Sequence, residues 1–425
     1  MRLNRLRGAI ALSSLLTLAG CGLTHPLAQA GNPSLQATDL GPNDSPRLVV
    51  HVPPHPLSAP QPWQGNNSAT LHVGPADNVA AIKDVITHAK KTLFIEVFDF
   101  ADDSMGQQIT PLVCDAAKRG VRVKFLCDWV ASKFKGGGKL GQQITAAGGE
   151  FHMWEPRFVV QSDGRKGINI THRKVYLADG ERGLTGGVNL AAPFDTTTHD
   201  LLVDFHGDEA EQLHTEFARD WKNGGGGDLA WDPLPAGVTY GTVQAQTIVT
   251  SPVEGRFEAQ TDIYRHLDAA QREIVVENQY LWDQGITDRL LAAAKRGVSV
   301  RVIVPGKSNT KAFHFLRGQA LNELLQAGGQ TRLYNGVPET AHMHTKYFSV
   351  DDQWAAFGSV NGDTRALIDN QELDVATTDS GLIGQLKTRL FENDWQNASV
   401  AYHFDDSSFF DGPFKYIWQV LDYYM

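Results

Sequence analysis

This chain of 425 residues has few cysteines, no long apolar run and no excess of basic residues. It carries only three cysteines. Cys21 belongs to the N-terminal stretch, and Cys114 and Cys127 fall on a predicted helix and the strand after it, where Cβ vectors suit a disulfide poorly. Two buried thiols are therefore expected. No segment approaches the roughly 20 consecutive apolar residues that a membrane helix needs. The 38 Lys and Arg are outnumbered by 48 Asp and Glu, giving a formal net charge of −10. A non-specific nuclease would want a broad basic surface for phosphates, so this balance argues against nucleic acid as partner. No His, Cys, Asp and Glu grouping has zinc or calcium spacing, and neither metal nor cofactor is expected. The string from Pro305 to Ser308, PGKS, invites a phosphate-loop reading, but the required Gly five residues before Gly306 is Arg301.

The chain does contain a duplication. His172, Lys174, Asp179, Gly186, Asn189 and Asp200 recur as His344, Lys346, Asp351, Gly358, Asn361 and Glu372, each pair 172 residues apart. A repeat made only for packing would repeat Leu and Val instead. Positions two apart on a strand face the same way, so His172 and Lys174 project together, as do His344 and Lys346. Two lysines and two asparagines, Asn189 and Asn361, then form a cradle for a tetrahedral anion such as a phosphodiester. The imidazoles can act as nucleophile or proton donor. An acid 28 residues after each His, Asp200 or Glu372, can hold one ring nitrogen and aim the other at phosphorus. Asp179 and Asp351 count among the catalytic candidates through the motif, yet each falls in the turn ending its strand and is expected to cap backbone N–H groups there.

At these residues the chain resembles the phospholipase D superfamily, whose signature is HxKxxxxD followed by G-[SG]-x-N. The second copy, HTKYFSVDDQWAAFGSVN, fits throughout; the first, HRKVYLADGERGLTGGVN, has Gly187 where the second has Ser359. That glycine form, with AAKRGVRVKFLCD, AAAKRGVSVRVIVPGKS and DNQELDV, is similar to the bacterial cardiolipin synthase branch. The resemblance covers roughly residues 70 to 400. It implies a metal-free reaction through a phosphohistidine, with His172 as nucleophile and His344 as acid by family precedent, and Ser359 in support of the phosphate site.

The N-terminus has Arg2, Arg5 and Arg7, a short apolar run, then Leu18-Ala19-Gly20-Cys21. It resembles a bacterial lipobox, which implies a signal over residues 1–20, lipidation of Cys21 and a place in the cell envelope at the periplasmic face, the outer membrane favoured by Gly22. Residues 21–66 hold nine of the nineteen prolines and little apolar periodicity, and read as a disordered tether.

Two passes of the same order follow: helix, strand (LFIEVFDF or IVVENQYL), helix, strand (VRVKFLC or VSVRVIV), helix, motif strand. Continuous apolar strands alternating with helices indicate largely parallel sheets covered on both faces. The expected fold is α/β, two tandem α/β/α sandwich domains over residues 67–228 and 229–400, joined near four consecutive glycines and sharing one active site. Residues 401–425 form an aromatic extension, including Phe409, Phe410, Phe414, Trp418, Tyr423 and Tyr424, expected to pack on the body. Glu96 and Glu277 sit at equivalent places on the first strands and either line the cleft or support a lysine. His152, His199, His206 and His342 lack repeat partners and read as satisfied or exposed. Lys133, Lys135, Lys139, Arg157, Arg165, Lys166 and Arg173 cluster before the first motif, as a rim for anionic headgroups or a solvated face. The reading is an enzyme, monomeric, acting on a phospholipid such as phosphatidylglycerol, by phosphatidyl transfer or by hydrolysis. A secreted nuclease and a non-catalytic phospholipid-binding lipoprotein are the alternatives; the latter would be expected to have lost a motif His or Lys, and none is lost.

Overall fold

A computed structural model describes residues 61–161, 166–306, 311–335 and 342–403. The signal, Cys21 and most of the tether lie outside the described residues, as do Arg165 and the aromatic residues from Phe409 onward. Cys114 and Cys127 are free and buried.

Each half builds its own sheet. The first contains β1 (Asn67–Val73), β2 (Thr92–Val97), β3 (Arg122–Asp128), β4 (Glu150–Trp154), β7 (Val175–Ala178), β8 (Arg182–Gly186) and β10 (Leu201–Gly207), in the order β1-β10-β8-β7-β2-β3-β4. The second contains β11 (Ala245–Ser251), β12 (Arg256–Phe257), β13 (Glu273–Asn278), β14 (Ser299–Pro305), β15 (Gln330–Tyr334), β17 (Lys346–Val350), β18 (Trp354–Gly358), β19 (Glu372–Thr377) and β20 (Ser399–Ala401), in the order β12-β11-β19-β18-β17-β13-β14-β15-β20. From β1 to β4 and from β11 to β15 the two orders correspond strand for strand.

The sheets are mixed, not largely parallel. Only β2–β3–β4 and β13–β14–β15 run parallel; each motif strand, β7 or β17, pairs antiparallel on both sides. A strand buried on both faces has the same apolar run whichever way its neighbours point, so strand direction was not legible in hydrophobicity. Direction is set by the connection: a tight turn sends the chain from β7 into β8 as a hairpin, whereas helices Ser104–Lys118 and Gln284–Lys295 give the parallel crossovers.

The helix over Pro75–His88 starts at a proline in its first turn and buries Val79, Ala81, Ile82, Val85 and Ile86. With the helices at Ser104–Lys118 and Gly137–Ala146 it covers one face of the first sheet, enclosing Leu93, Ile95, Ile109, Val113, Phe125, Leu140 and Tyr176. A second core is continuous between the halves, from Phe94, Leu177, Phe205 and Phe217 to Val275, Phe357, Leu373 and Phe391. Across it Phe205 and Phe357 stack with centroids 6.3 Å apart. Gln64, placed in the tether by composition, forms a bridge to Ala245, and Tyr402 donates its backbone N–H to Thr331 O, so the paired body reaches beyond 67–400 at both ends.

The motif aspartates are turn residues. Asp179 and Asp351 both have left-handed backbones, with φ of 56° and 57°, which Asp tolerates better than most residues. Asp179 accepts from the N–H groups of Lys90, Lys91 and Thr92, and Asp351 from those of Gln271, Arg272 and Glu273. Each carboxylate thereby fixes the start of β2 or β13 against the far end of its motif strand. Both carboxylates, placed by the motif among the catalytic residues, are thus engaged by backbone N–H groups, as expected of turn residues. Asp351→Ala removes three backbone partners and is expected to lower unfolding free energy by about 1–3 kcal/mol, read as a fall in denaturation midpoint, while the folded fraction keeps its active-site geometry.

Candidate active site

Two short pairings carry the motif segments from one half to the other. His172 N–H donates to Gln371 O (2.8 Å) and Gln371 N–H to Ile170 O (2.8 Å). The counterpart is a two-stranded parallel pair, β9 (Thr198–His199) with β16 (His342–Met343), where His344 N–H donates to His199 O (2.8 Å). Each motif histidine is thus paired beside the residue that precedes the acid of the opposite half.

The side chains follow the backbone. His172 Nδ1–H donates to Glu372 Oε2 (2.9 Å), and His344 Nδ1 lies 2.7 Å from Asp200 Oδ2. Both acids of the sequence frame do hold histidines, but crosswise; within its own half His344 Nδ1 lies 2.9 Å from Lys346 Nζ, and Glu372 accepts from Ser359 and Asn370. Among the described residues no protein group bonds Nε2 of His172 or His344, which leaves both free to act. A phenyl edge supports each ring: Phe98 against His172 at 4.8 Å and Phe194 against His344 at 4.9 Å between centroids.

Lys174 and Lys346 are buried, and each donates to the carbonyl of its own histidine. Lys346 also donates to Gln279 Oε1 (2.9 Å), while Lys174 sits 5.4 Å from the centroid of the Phe98 ring. Gln279 and Phe98 follow Glu277 and Glu96 by two residues, so the two halves support corresponding lysines by different chemistry. Asn189 Oδ1 accepts from Asp99 N–H (3.0 Å), which orients its amide NH₂ as a donor. Asn361 is buried too, and among the described residues its Oδ1 has no hydrogen-bond partner.

The exchange of Gly187 for Ser359 has a steric cause. A Cβ on Gly187 would fall 2.2 Å from Asp200 Oδ2, so the short aspartate occupies the space of a side chain there. In the other half Ser359 Oγ–H donates to Glu372 Oε2 and accepts from Leu373 N–H (2.9 Å). Ser359 therefore supports Glu372 rather than contacting the anion site directly.

Burial makes the electrostatics asymmetric. Desolvation, with Lys174 and Lys346 nearby, pulls His172 down to about 4 against the opposing pull of Glu372. His344 is lowered well below its ordinary value by burial and the same two lysines. Burial alone would raise Glu372, yet His172, Lys174 and Ser359 hold it below the usual carboxylate value. Burial lifts Asp200 to about 7, with Lys346 and the Leu201 N–H working against it. The lysines fall to about 7 and about 8, mainly by burial, with Glu372 and Asp200 countering. One histidine thus faces an ionised carboxylate, and the other a carboxyl that still carries protons near neutrality.

Arg173, read from sequence as part of a basic rim, is buried instead. It lies 2.9 Å from Asp220 and 3.3 Å from Glu216, and its Nε–H donates to Glu372 O (3.1 Å). Glu96 lies in the same charged group, accepting from Thr171 Oγ. In the other half Arg173 is replaced by Thr345, and the His199 ring lies beside Glu277 (3.8 Å) and Asp394 (2.5 Å). These three could also hold a metal ion, their ligand atoms lying within 4.8 Å of one another. Sequence spacing did not reveal the group, because its members come from three separated elements. Phe98, Phe194, Gln279 and Asp99 were missed as well; of these only Phe98 and Gln279 carried a signal, their matching places after Glu96 and Glu277.

Residues 82–221 and 263–395 match the family described as cardiolipin synthase, PLD-like domain. Cardiolipin synthase A of Pseudomonas aeruginosa (strain LESB58) is 25% identical over 347 residues, covering 77% of this chain and 67% of that protein. The cardiolipin synthase of Geobacillus kaustophilus (strain HTA426) is 28% identical over 400 residues, covering 90% and 75%. In fold the chain is similar to the phosphatidylserine synthase of Haemophilus influenzae Rd KW20, with a TM-score of 0.60, 15% identity and coverage of 85% of this chain and 94% of that one.

The lysine values carry a test. A tetrahedral oxyanion such as tungstate should bind in the cradle and weaken as pH rises through about 7 to about 8, where Lys174 and Lys346 lose charge. By calorimetry, Lys346→Met should cost about ten- to a hundredfold in affinity and flatten that pH dependence.

Proposed function

Since the chain belongs to the cardiolipin synthase-like family of phospholipase D-like domains, we propose that it is a phosphatidyltransferase acting on phosphatidylglycerol. The observation that carries this reading is the crossed pair of His–carboxylate contacts around two buried lysines, which supplies one nucleophile, one acid and one anion cradle.

His172 is the nucleophile in this scheme. Its Nδ1–H is engaged by ionised Glu372, so Nε2 carries the lone pair and forms the N–P bond as the P–O bond to the departing glycerol breaks. His344, sharing a proton with Asp200, protonates that leaving oxygen. Lys174, Lys346, Asn189 and Asn361 bind the non-bridging oxygens, whose charge grows at the pentacoordinate stage. In the second step the hydroxyl of another phosphatidylglycerol attacks phosphorus, His344 takes its proton, and the N–P bond breaks. Two phosphatidylglycerols give one cardiolipin and one glycerol. Water in the acceptor's place gives phosphatidic acid, and the hydrolase is thus the same site with a different acceptor.

Incubation with phosphatidylglycerol, followed by mass spectrometry, should yield cardiolipin, and added ethanol should divert product to phosphatidylethanol. His172→Asn and His344→Asn should each lower turnover by several orders of magnitude, non-additively when combined. Phosphatidic acid as sole product at every alcohol concentration leaves a plain hydrolase. Cleavage of plasmid DNA without lipid product replaces the reading with a nuclease.

The proposal extends to location. The Leu18-Ala19-Gly20-Cys21 sequence supports a lipid anchor on the periplasmic face, which would set the enzyme at its substrate. Intact mass of the wild-type chain should show acylation that Cys21→Ser removes; an unmodified Cys21 in the mature protein overturns the anchor.

A further inference from the structure

Single exposed apolar side chains are ordinary on a folded protein, but a group of them on neighbouring segments is not. Among the described residues seven large hydrophobics are exposed, and four of them, Val130, Phe134, Phe158 and Ile168, come from the two segments leading from β3 to the first motif histidine. Phe134 and Phe158 are the extremes, at 83% and 84% exposure. Val130 and Phe134 lie on the turns after β3, from Trp129 to Lys135. Phe158 and Ile168 are opposite each other on a two-stranded ribbon, β5 (Arg157–Val160) with β6 (Lys166–Asn169), so their side chains share one face. The segments are neighbours, because Trp129, Lys133 and Arg157 line one cavity.

Both segments are tied to the catalytic machinery. The ribbon runs directly into Thr171 and His172, and its base is fastened to the loop before Glu372, with Asn169 Nδ2 donating to Asp369 O (2.8 Å). The Phe134 turn is fastened by Lys135, which bonds Asp99, whose N–H in turn orients Asn189. Ser132, one residue before that turn, donates to the carbonyl of Phe98, the ring that rests on His172. The exposed phenyls therefore stand on segments fastened to the active site, while their own rings lie in solvent outside it. Cationic groups flank them: Lys133 lies over the Trp129 ring, and Arg157 over that of Trp154. Phenyl rings with Lys and Arg at their margin suit the boundary of an anionic bilayer, where rings enter the acyl region and cations stay among the headgroups.

We propose that Val130, Phe134, Phe158 and Ile168 form a membrane-insertion face that docks the active-site mouth on an anionic lipid bilayer. The face rests on the proposed reading for the identity of its partner, but insertion is measured without turnover, so either claim can fail alone. Docking there would orient the active site relative to the headgroup layer, since the docked surface and His172 belong to one fastened unit.

The test uses the full chain with a fluorophore sensitive to polarity attached at Phe134→Cys, at Phe158→Cys, and at Val238→Cys as a control that is 43% exposed and outside the face. The parent chain, labelled alike, gives the background. With vesicles of phosphatidylcholine and phosphatidylglycerol, emission at 134 and 158 should shift to the blue and be quenched by nitroxide-bearing lipid chains, while emission at 238 should not change. In an unlabelled chain, Phe134→Ser with Phe158→Ser should lower the ratio of turnover on vesicles to turnover on dispersed short-chain lipid by about tenfold or more, with the short-chain rate unchanged. Unshifted labels at both phenyl positions overturn the proposal. Labels already shielded before vesicles are added overturn it too, since they show that another part of the chain or a second copy covers the face.

Discussion

Two parallel backbone contacts, Thr171 beside Gln371 and Met343 beside His199, bring each motif histidine to the acid of the opposite half. They are themselves related by the duplication, each joining the residue before a motif histidine to the residue before the opposite acid. Because the crossing is made in backbone hydrogen bonds, the histidine–carboxylate geometry does not depend on flexible side chains finding one another. The site is consequently a property of the interface, and the continuous core around Phe205 and Phe357 keeps that interface closed. Burial there also sets the protonation of the site's groups. Desolvation lowers both histidines and both lysines, and the same desolvation raises Asp200, while nearby cations and Ser359 keep Glu372 ionised.

Burying so much charge requires compensation, and the halves solve it differently. In the first, Arg173 satisfies Asp220 and Glu216 and reaches across to the backbone of Glu372, joining charge balance to site geometry. In the second, Thr345 replaces the guanidinium and His199 serves Glu277 and Asp394. Removing Arg173 from its group leaves unpaired buried carboxylates, typically a loss of about 3–5 kcal/mol. The unequal pairs Gly187 with Asp200 and Ser359 with Glu372 follow the same logic: the shorter acid needs the glycine's space, and the longer one gains a hydroxyl donor. A duplicated chain has thus become chemically asymmetric at a few positions, which is what a reaction with one nucleophile and one acid requires.

The motif residues were legible because chemistry constrains them by type: two histidines, two lysines and two asparagines at one spacing are difficult to explain by packing. The strands were legible from their apolar runs and the turn role of Asp179 and Asp351 from position. Three things were not. Strand direction was hidden because β7 and β17 are buried on both faces regardless of their neighbours. The crossing of the acids was hidden because the frame repeats every 172 residues and looks identical whether a histidine pairs within its half or across. Arg173 was read as a surface cation because its partners Glu216 and Asp220 come from a helix more than forty residues on. Distance in sequence, more than weakness of signal, set the limit.

The crossing can be measured without substrate. With nitrogen-15 in the imidazoles, Glu372→Gln should move the ring signals of His172 and leave those of His344 nearly in place, and Asp200→Asn should do the reverse. Shifts of His344 on changing Glu372, and of His172 on changing Asp200, would place each acid with the histidine of its own half and contradict the account.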